Sequence, residues 1–505
     1  MSNGDDLRRS ATLSIGWIVL ERWTSRLLGL VVIAVLTRIL SPENFGLVAM
    51  ATVVTAILQV FVDSGFATVL IQKKSLLPKD TSTAFWTSVA ISVLLYAALF
   101  ATAPLLAELF GEPGLTDVLR VMGLGLPISS LSQVPAAILE RSFGFRALAV
   151  RQVIGNLCGA AVAIPVALLG GGVWALVAQA LVTSVASVVV LWSSTTWRPR
   201  WEYSFSALRQ MWSMGVRIIG IGLLDALQQN IDKLIVGAFF SVEVLGYYYL
   251  AQRIGTILIE LVTTVMSRVT LTTFSKLQDD LPRLNRIFLQ MTFASAAIGV
   301  PMFGLVAVLA TQIVPFAFGA GWDETVPLLW VLAGGWAFGA VMYFDKSAFI
   351  AIGRANVALS VAVLQNIVGV ALVFALLPLG IFGVALSRWS RIVTWPVRIW
   401  ALHRLIGLPV WKYLAQVFRC ILAMVPVVVG IGLLQLTPWA NTDYAFLIFA
   451  LPLAACGLAI YSLLLWAFAG KENRLVLRKI ASDIRSQIQR KRPAKTGKKR
   501  IDPQI

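Results

Sequence analysis

Long apolar runs separated by short polar punctuation fill most of this chain. Their spacing predicts helices over roughly 82–108, 115–139, 145–169, 173–196, 208–239, 243–271, 286–318, 325–350, 355–377, 381–403, 411–435 and 443–468. Two more precede them between Ser10 and Lys74, where apolar stretches flank the turn Leu40-Ser41-Pro42-Glu43-Asn44-Phe45-Gly46. A bilayer core takes about 20 residues at 1.5 Å rise, so each run is long enough to cross and about fourteen crossings are expected. The pattern predicts an all-α polytopic membrane protein.

Polar positions inside these runs matter more than the runs themselves. The first helix carries Glu21, Arg22 and Arg26, with the two arginines four apart on one face. The second carries Thr52, Thr55, Gln59 and Asp63 as a polar stripe. A charge at mid-bilayer costs roughly 2.5–3.5 kcal/mol even on the lenient insertion scale, so such groups face a bundle interior or a wet cavity. The seventh helix has Arg217, Asp225, Gln229 and Asp232, and the eighth has Arg253, Thr256, Glu260, Thr264 and Ser267 on one face. The twelfth has Arg388, Arg391, Trp395 and Arg398. Asp345-Lys346, at the inner end of the tenth, suits an internal ion pair as well as a functional site. Arg388 and Arg391 stack like charges with no acid in their own helix, which favours an anionic ligand over a register-fixing pair.

Composition sharpens the class. The 505 residues are 58% hydrophobic and only 13% charged, with a mean hydropathy of +0.83, against about 25% charged in soluble domains. Of the formal +18, a net +9 sits beyond residue 470, where twelve Lys or Arg meet three acids. That tail begins with Leu477, Ile480, Ile484 and Ile488 on one face and ends polybasic, as expected of a segment lying on an anionic leaflet. Nucleic acid is not implied. Cys158, Cys420 and Cys456 lie in apolar runs without metal-ligand spacing, His403 sits in a basic loop, and no metal or cofactor is expected. Arg8-Arg9 precedes a run too long for a secretion signal.

Loop charge orients the chain. Lys73, Lys74 and Lys79, Arg141, Arg146 and Arg151, Arg198, Arg200 and Arg209, and Arg404 and Lys412 fall on one side. Acids dominate the other, in loops that include Glu112 and Trp322, with Arg38 the exception. The basic side is cytoplasmic, which puts both termini inside the cell.

The chain also echoes itself at a period of about 200 residues. Ser41-Pro42-Glu43-Asn44-Phe45-Gly46 returns as Ser241-Val242-Glu243-Val244-Leu245-Gly246, and Gly172-Val173-Trp174-Ala175-Leu176 as Gly383-Val384-Ala385-Leu386. Six helices separate the copies, so both have the same orientation, as in parallel-repeat transporters. The expected organisation is an N-lobe over 1–200, a C-lobe over 201–405 and an appended hairpin over 406–470. A basic tail over 471–505 follows, and Arg198-Pro199-Arg200-Trp201-Glu202-Tyr203 links the lobes.

The string from Leu36 to Gly46, followed by Val62-Asp63-Ser64-Gly65 and Ile71-Gln72-Lys73, resembles the opening of Wzx-type polysaccharide flippases. These are members of the multidrug/oligosaccharidyl-lipid/polysaccharide flippase superfamily. Asn230-Ile231-Asp232-Lys233-Leu234-Ile235-Val236-Gly237 is similar to the family element N-x-D-x-L-x-V-G. Gly246-Tyr247-Tyr248-Tyr249-Leu250-Ala251-Gln252-Arg253 is similar to G-Y-Y-x-x-A-x-R, with Gln252 a departure. Phe85-Trp86 and Gly172 to Leu176 match as well, and the likeness covers about residues 12–410.

The resemblance implies a flippase that carries an undecaprenyl-pyrophosphate-linked oligosaccharide to the outer leaflet. A polysaccharide polymerase and a chain-length regulator would be its neighbours, and membrane lipids its surroundings. A pyrophosphate needs a cationic path, and the planar guanidinium fork suits its oxygens. Arg22, Arg26, Arg217, Arg253, Arg388 and Arg391 are therefore the substrate-site candidates, with Asp63, Asp225 and Glu260 as ion-coupling candidates. A multidrug exporter is the alternative, but a cation exporter calls for acids where arginines prevail here. A membrane glycosyltransferase or polymerase finds only Asp279-Asp280 in its favour and no loop long enough for a nucleotide-sugar domain; no catalytic residue is expected.

Overall fold

The computed structural model describes residues 23–63, 65–73, 76–436, 449–470, 473–478 and 482. Glu21, Arg22, Lys74 and nearly all of the basic tail lie outside the described residues. Every regular element among them is helical. The first is α1 (Trp23–Thr37). There follow α2 (Pro42–Asp63), α3 (Phe66–Gln72), α4 (Pro78–Leu109), α5 (Leu115–Gly123), α6 (Gly125–Arg141), α7 (Phe145–Leu168) and α8 (Val173–Ser193). Next come α9 (Phe205–Phe239), α10 (Val242–Ser275), α11 (Leu281–Val308), α12 (Ala310–Phe318), α13 (Thr325–Val341) and α14 (Asp345–Ala351). The last are α15 (Ala355–Leu376), α16 (Ile381–Ser387), α17 (Ser390–Ile406), α18 (Val410–Gln435) and α19 (Leu451–Phe468). Among the described residues, ten segments are long and apolar enough to cross a membrane by length and composition.

Two compact units divide the chain, exchanging it within α10, α11, α13, α15 and α17. The first comprises Met1–Val265, Val306–Trp336 and Ser360–Trp395. Within it the two copies of the sequence echo meet, since the first turn of α10 crosses the second turn of α2 at glycines. The α7–α8 hairpin is equally close. A Cβ on Gly155 would strike Ser187 Oγ, and one on Gly159 would strike Thr183 Oγ1 and the Gln179 carbonyl. Small residues four apart permit such backbone approach inside a bilayer, where burial against lipid offers no drive of its own.

The segment expected as a linker is bonded along the start of α4. Arg200 N donates to Ser82 Oγ at 3.1 Å, Ser204 N to Thr83 Oγ1 at 3.0 Å, and Trp197 Nε1 to Thr81 Oγ1 at 3.1 Å. Trp86 Nε1 returns a bond to the Arg200 carbonyl at 2.9 Å, and its ring stacks on Trp201 at 4.3 Å. The Thr81-Ser82-Thr83 run thus satisfies a backbone that has no regular structure of its own.

Trp322 is not the exposed loop residue that its sequence position suggests. It is 1% exposed, donates from Nε1 to the Thr37 carbonyl at 2.9 Å, and meets Phe45 and Tyr247 edge-on. Arg38, the one base among acidic loops, donates to the Phe316 carbonyl in the last turn of α12, where a cation is favourable. The continuous helix expected over 381–403 breaks between α16 and α17. There Trp389 turns aside to donate to the Val331 carbonyl at 2.8 Å and fills the space left by Gly334.

The second unit comprises Met266–Leu305, Ala337–Leu359 and Pro396–Ile505. Ser295 Oγ donates to the Ala340 carbonyl at 2.8 Å, Phe288 stacks on Tyr413, and Gly457 of α19 sits against Val427 of α18. Asp345, 1% exposed, faces Arg398 Nη1 at 3.5 Å. The ion pair that the sequence allowed for Asp345 is formed with α17, not with its neighbour Lys346, which is exposed.

Candidate functional site

A cavity of about 780 Å³ opens within the first unit. Its apolar wall comes from Leu28, Val32 and Ile33 of α1, Phe45 and Val48 of α2, and Leu176 of α8. Its polar wall is built by helical spacing. Ser25 and Arg26 come from α1, Thr52 from α2, Gln152 and Asn156 from α7, and Gln179 and Thr183 from α8. The glycine contacts between α7 and α8 hold those last four side chains together, and Gln152 Nε2 donates to Asn156 Oδ1 at 3.2 Å.

α10 contributes two faces. Tyr249, Arg253 and Glu260 recur at i, i+4 and i+11 and line the cavity. One residue earlier, Tyr248 and Gln252 point to α9 and both donate to Asp232 Oδ2, Tyr248 at 2.5 Å. Arg388 Nη2 completes the set at 2.5 Å from the same oxygen. Asp232 is 3% exposed, so its carboxylate is enclosed by its own hydrogen-bond donors, while the Arg388 side chain retains 29% of its accessible surface. Arg388 lacks an acid in its own helix, and α9 supplies one.

The cavity has an ion pair too, between Arg26 Nε and Glu260 Oε2. Here the side chains retain 33% and 35% of their accessible surface, so both face open space. Arg253 is the second cation in the wall, and its Nε makes no hydrogen bond. Among the described residues, two guanidiniums against one carboxylate give the lining a net positive charge.

The expected site residues therefore separate. Arg26, Arg253 and Glu260 share the cavity. Arg22 lies outside the described residues. Arg388 is committed to Asp232, Arg391 is half-buried on α17, and Arg217 and Asp225 are exposed on α9; none of these four lines the cavity. Asp63 is likewise elsewhere, accepting from Gln59 Nε2 at 2.7 Å and from Gln133. The sequence reading missed Gln152, Asn156, Gln179 and Thr183. Their signal was available as two polar pairs, each spaced i, i+4 in an otherwise apolar helix.

A profile of the family described as polysaccharide biosynthesis protein matches residues 35–327. The succinoglycan biosynthesis transport protein ExoT of Rhizobium meliloti (strain 1021) is 28% identical over 64% of this chain and 66% of its own. The lipopolysaccharide biosynthesis protein WzxC of Escherichia coli (strain K12) is 23% identical over 60% of this chain and 62% of its own. The chain thus spans a little under two thirds of the curated relatives that it matches. Among solved structures, lipid II flippase MurJ in an inward closed conformation superposes with a TM-score of 0.73 at 17% identity, covering 89% of this chain and 98% of that one. An inward-facing multidrug resistance MATE family transporter of the MOP superfamily gives 0.60 at 14% identity over 77% of this chain and 98% of that one. These likenesses establish a shared fold.

Proposed function

Because the chain belongs to the polysaccharide biosynthesis protein family, we propose that it flips a lipid-linked oligosaccharide across the bacterial inner membrane, from the cytoplasmic to the periplasmic leaflet. The observation that carries this reading is the polar cavity with Arg26 and Arg253 in its wall. A pyrophosphate-linked glycan cannot enter hydrocarbon. It requires hydrogen-bond donors, fixed positive charge and space, and the cavity offers all three. Arginine forks give paired charge-assisted bonds to phosphate oxygens, while the amides of Gln152, Asn156 and Gln179 suit sugar hydroxyls. The names of the relatives concern succinoglycan and lipopolysaccharide biosynthesis, and on the family resemblance the lipid carrier would be undecaprenyl pyrophosphate. A polymerase and a chain-length regulator would take the product on the outer face.

The chain would cross about fourteen times with both termini in the cytoplasm, and two repeats of six helices would expose the site alternately. Asp63 and Asp225 remain candidates for ion coupling. They lie away from the cavity, where a carboxylate can respond to the state of the bundle without touching cargo.

Proteoliposomes test the assignment. Purified chain should move a fluorescent undecaprenyl-pyrophosphate-linked oligosaccharide to the opposite leaflet, and R26Q/R253Q should not. Transport of a cationic dye in place of the glycolipid would instead identify a drug exporter.

A further inference from the structure

Two of the arginine–carboxylate pairs described in the first unit differ in how accessible their carboxylate is. The Asp232 side chain keeps only 4% of its accessible surface, and its carboxylate receives Arg388, Tyr248 and Gln252. Arg26 with Glu260 stands in the cavity wall, with about a third of each side chain accessible. A carboxylate enclosed by three donors fixes helix register, because no entering ion can take its place. An open pair between two cavity-lining residues is exposed to any anion that enters.

We infer that Glu260 is an internal counter-ion that occupies Arg26 in the empty cavity and is displaced by the phosphate of the incoming ligand. The inference rests on the reading of the cavity as the binding site of an anionic glycolipid. Charge balance gives the reason. An arginine in a low-dielectric cavity needs a partner, and Glu260 supplies one when no ligand is present. A pyrophosphate brings several anionic oxygens and can satisfy both Arg26 and Arg253, so it competes well for the guanidiniums. Glu260 then faces a like charge and is repelled. Net binding is the difference between the new contacts and the lost pair, which holds the affinity below what the arginines alone would give.

That limit serves transport. A carrier must bind its cargo strongly enough to admit it and weakly enough to release it. When Glu260 returns to Arg26 it replaces the departing phosphate, so release does not leave a bare cation behind. Glu260 is thus a positioning residue that acts through Arg26. The sign of its effect is opposite to that of a ligand-binding group.

The test is a double-mutant cycle on purified full-length chain in lipid nanodiscs, with a short-chain prenyl pyrophosphate as the probe and the matching neutral prenol as control. E260Q should bind the pyrophosphate about tenfold more tightly, a shift of one decade in Kd, with slower dissociation in stopped-flow. R26Q should bind it more weakly, and R26Q/E260Q should gain nothing over R26Q, because the advantage of removing Glu260 operates through Arg26. E260D, which keeps the charge but withdraws it by one methylene, should fall between wild type and E260Q and serves if E260Q does not fold. Unchanged or weaker binding by well-folded E260Q, with R26Q still defective, would overturn the counter-ion role and leave the cavity assignment standing. Equal binding by wild type and R26Q/R253Q, or no saturable binding by either, would remove the cavity assignment and this inference with it.

Discussion

Gly46 and Gly246, two hundred positions apart in sequence, each receive the first-turn backbone of the other's helix. A Cβ on Gly46 would run into the Val242 carbonyl, and a Cβ on Gly246 into the Pro42 carbonyl. Pro42 and Val242 are themselves matching positions of the repeated Ser-x-Glu-x-x-Gly motif. The motif recurs because two copies of one helix start cross each other, and each copy needs a residue without a side chain at the crossing. The obstructing atoms are backbone, so a rotamer change cannot relieve the clash.

Alanine at either glycine should therefore lower stability by about 1–3 kcal/mol, the usual range for overpacking. G220A, with nothing within 4 Å of its Cβ position, should be neutral or slightly stabilising. Thermal unfolding followed by size-exclusion chromatography distinguishes them. Equal melting of G46A, G246A and G220A would contradict the crossing.

The Asp232–Arg388 pair makes a second prediction. Removing one partner leaves an uncompensated buried charge, a loss of about 3–5 kcal/mol, so R388A and D232N should each reduce folded protein in the membrane. A matched apolar pair, D232L/R388M, should recover much of that loss. Pyrophosphate binding per folded molecule should match wild type in the recovered double variant. A folded D232L/R388M with no binding would return Arg388 to the substrate site.

Cavity arginines should behave differently. Loss of one charge-assisted contact costs roughly 1.5–3 kcal/mol, or about one to two decades of affinity. R253Q should lose binding and transport on that scale while remaining folded, since its side chain is half-buried in the cavity wall. R253K should retain part of the activity, because charge persists and only the fork is lost. Full glycolipid binding by R253Q would exclude Arg253 from the site.

Orientation is tested with single cysteines at exposed positions. D117C and D323C should react with an impermeant maleimide added to intact cells, and K79C and R209C only after permeabilisation. W322C should resist labelling on either side and lower the folded yield, because the indole fills space beside Phe45 and Tyr247. Labelling of D117C and K79C from one side would break the topology.

The sequence by itself determined the helical membrane class, most helix positions to within a few residues, the internal repeat and its motif, and the three charged residues that line the cavity. These follow from local rules. Crossing length is set by the bilayer, helix faces by the 3.6-residue period, and Arg26, Arg253 and Glu260 stand out because charge inside an apolar run is costly. Only the tertiary structure decided which charge meets which. Arg388 and Arg391 look alike on one helix, yet α9 presents Asp232 to Arg388 alone at hydrogen-bonding distance from Oδ2. Arg26 and Glu260 are more than two hundred residues apart, and no periodicity within a helix brings them together. Trp322 reads as a loop residue and is buried, because the space that it fills is defined by the ends of α1, α2 and α10. Periodicity reports which face of a helix is polar; partner choice depends on how backbones cross, and here glycines with no side-chain signal of their own set the closest crossings.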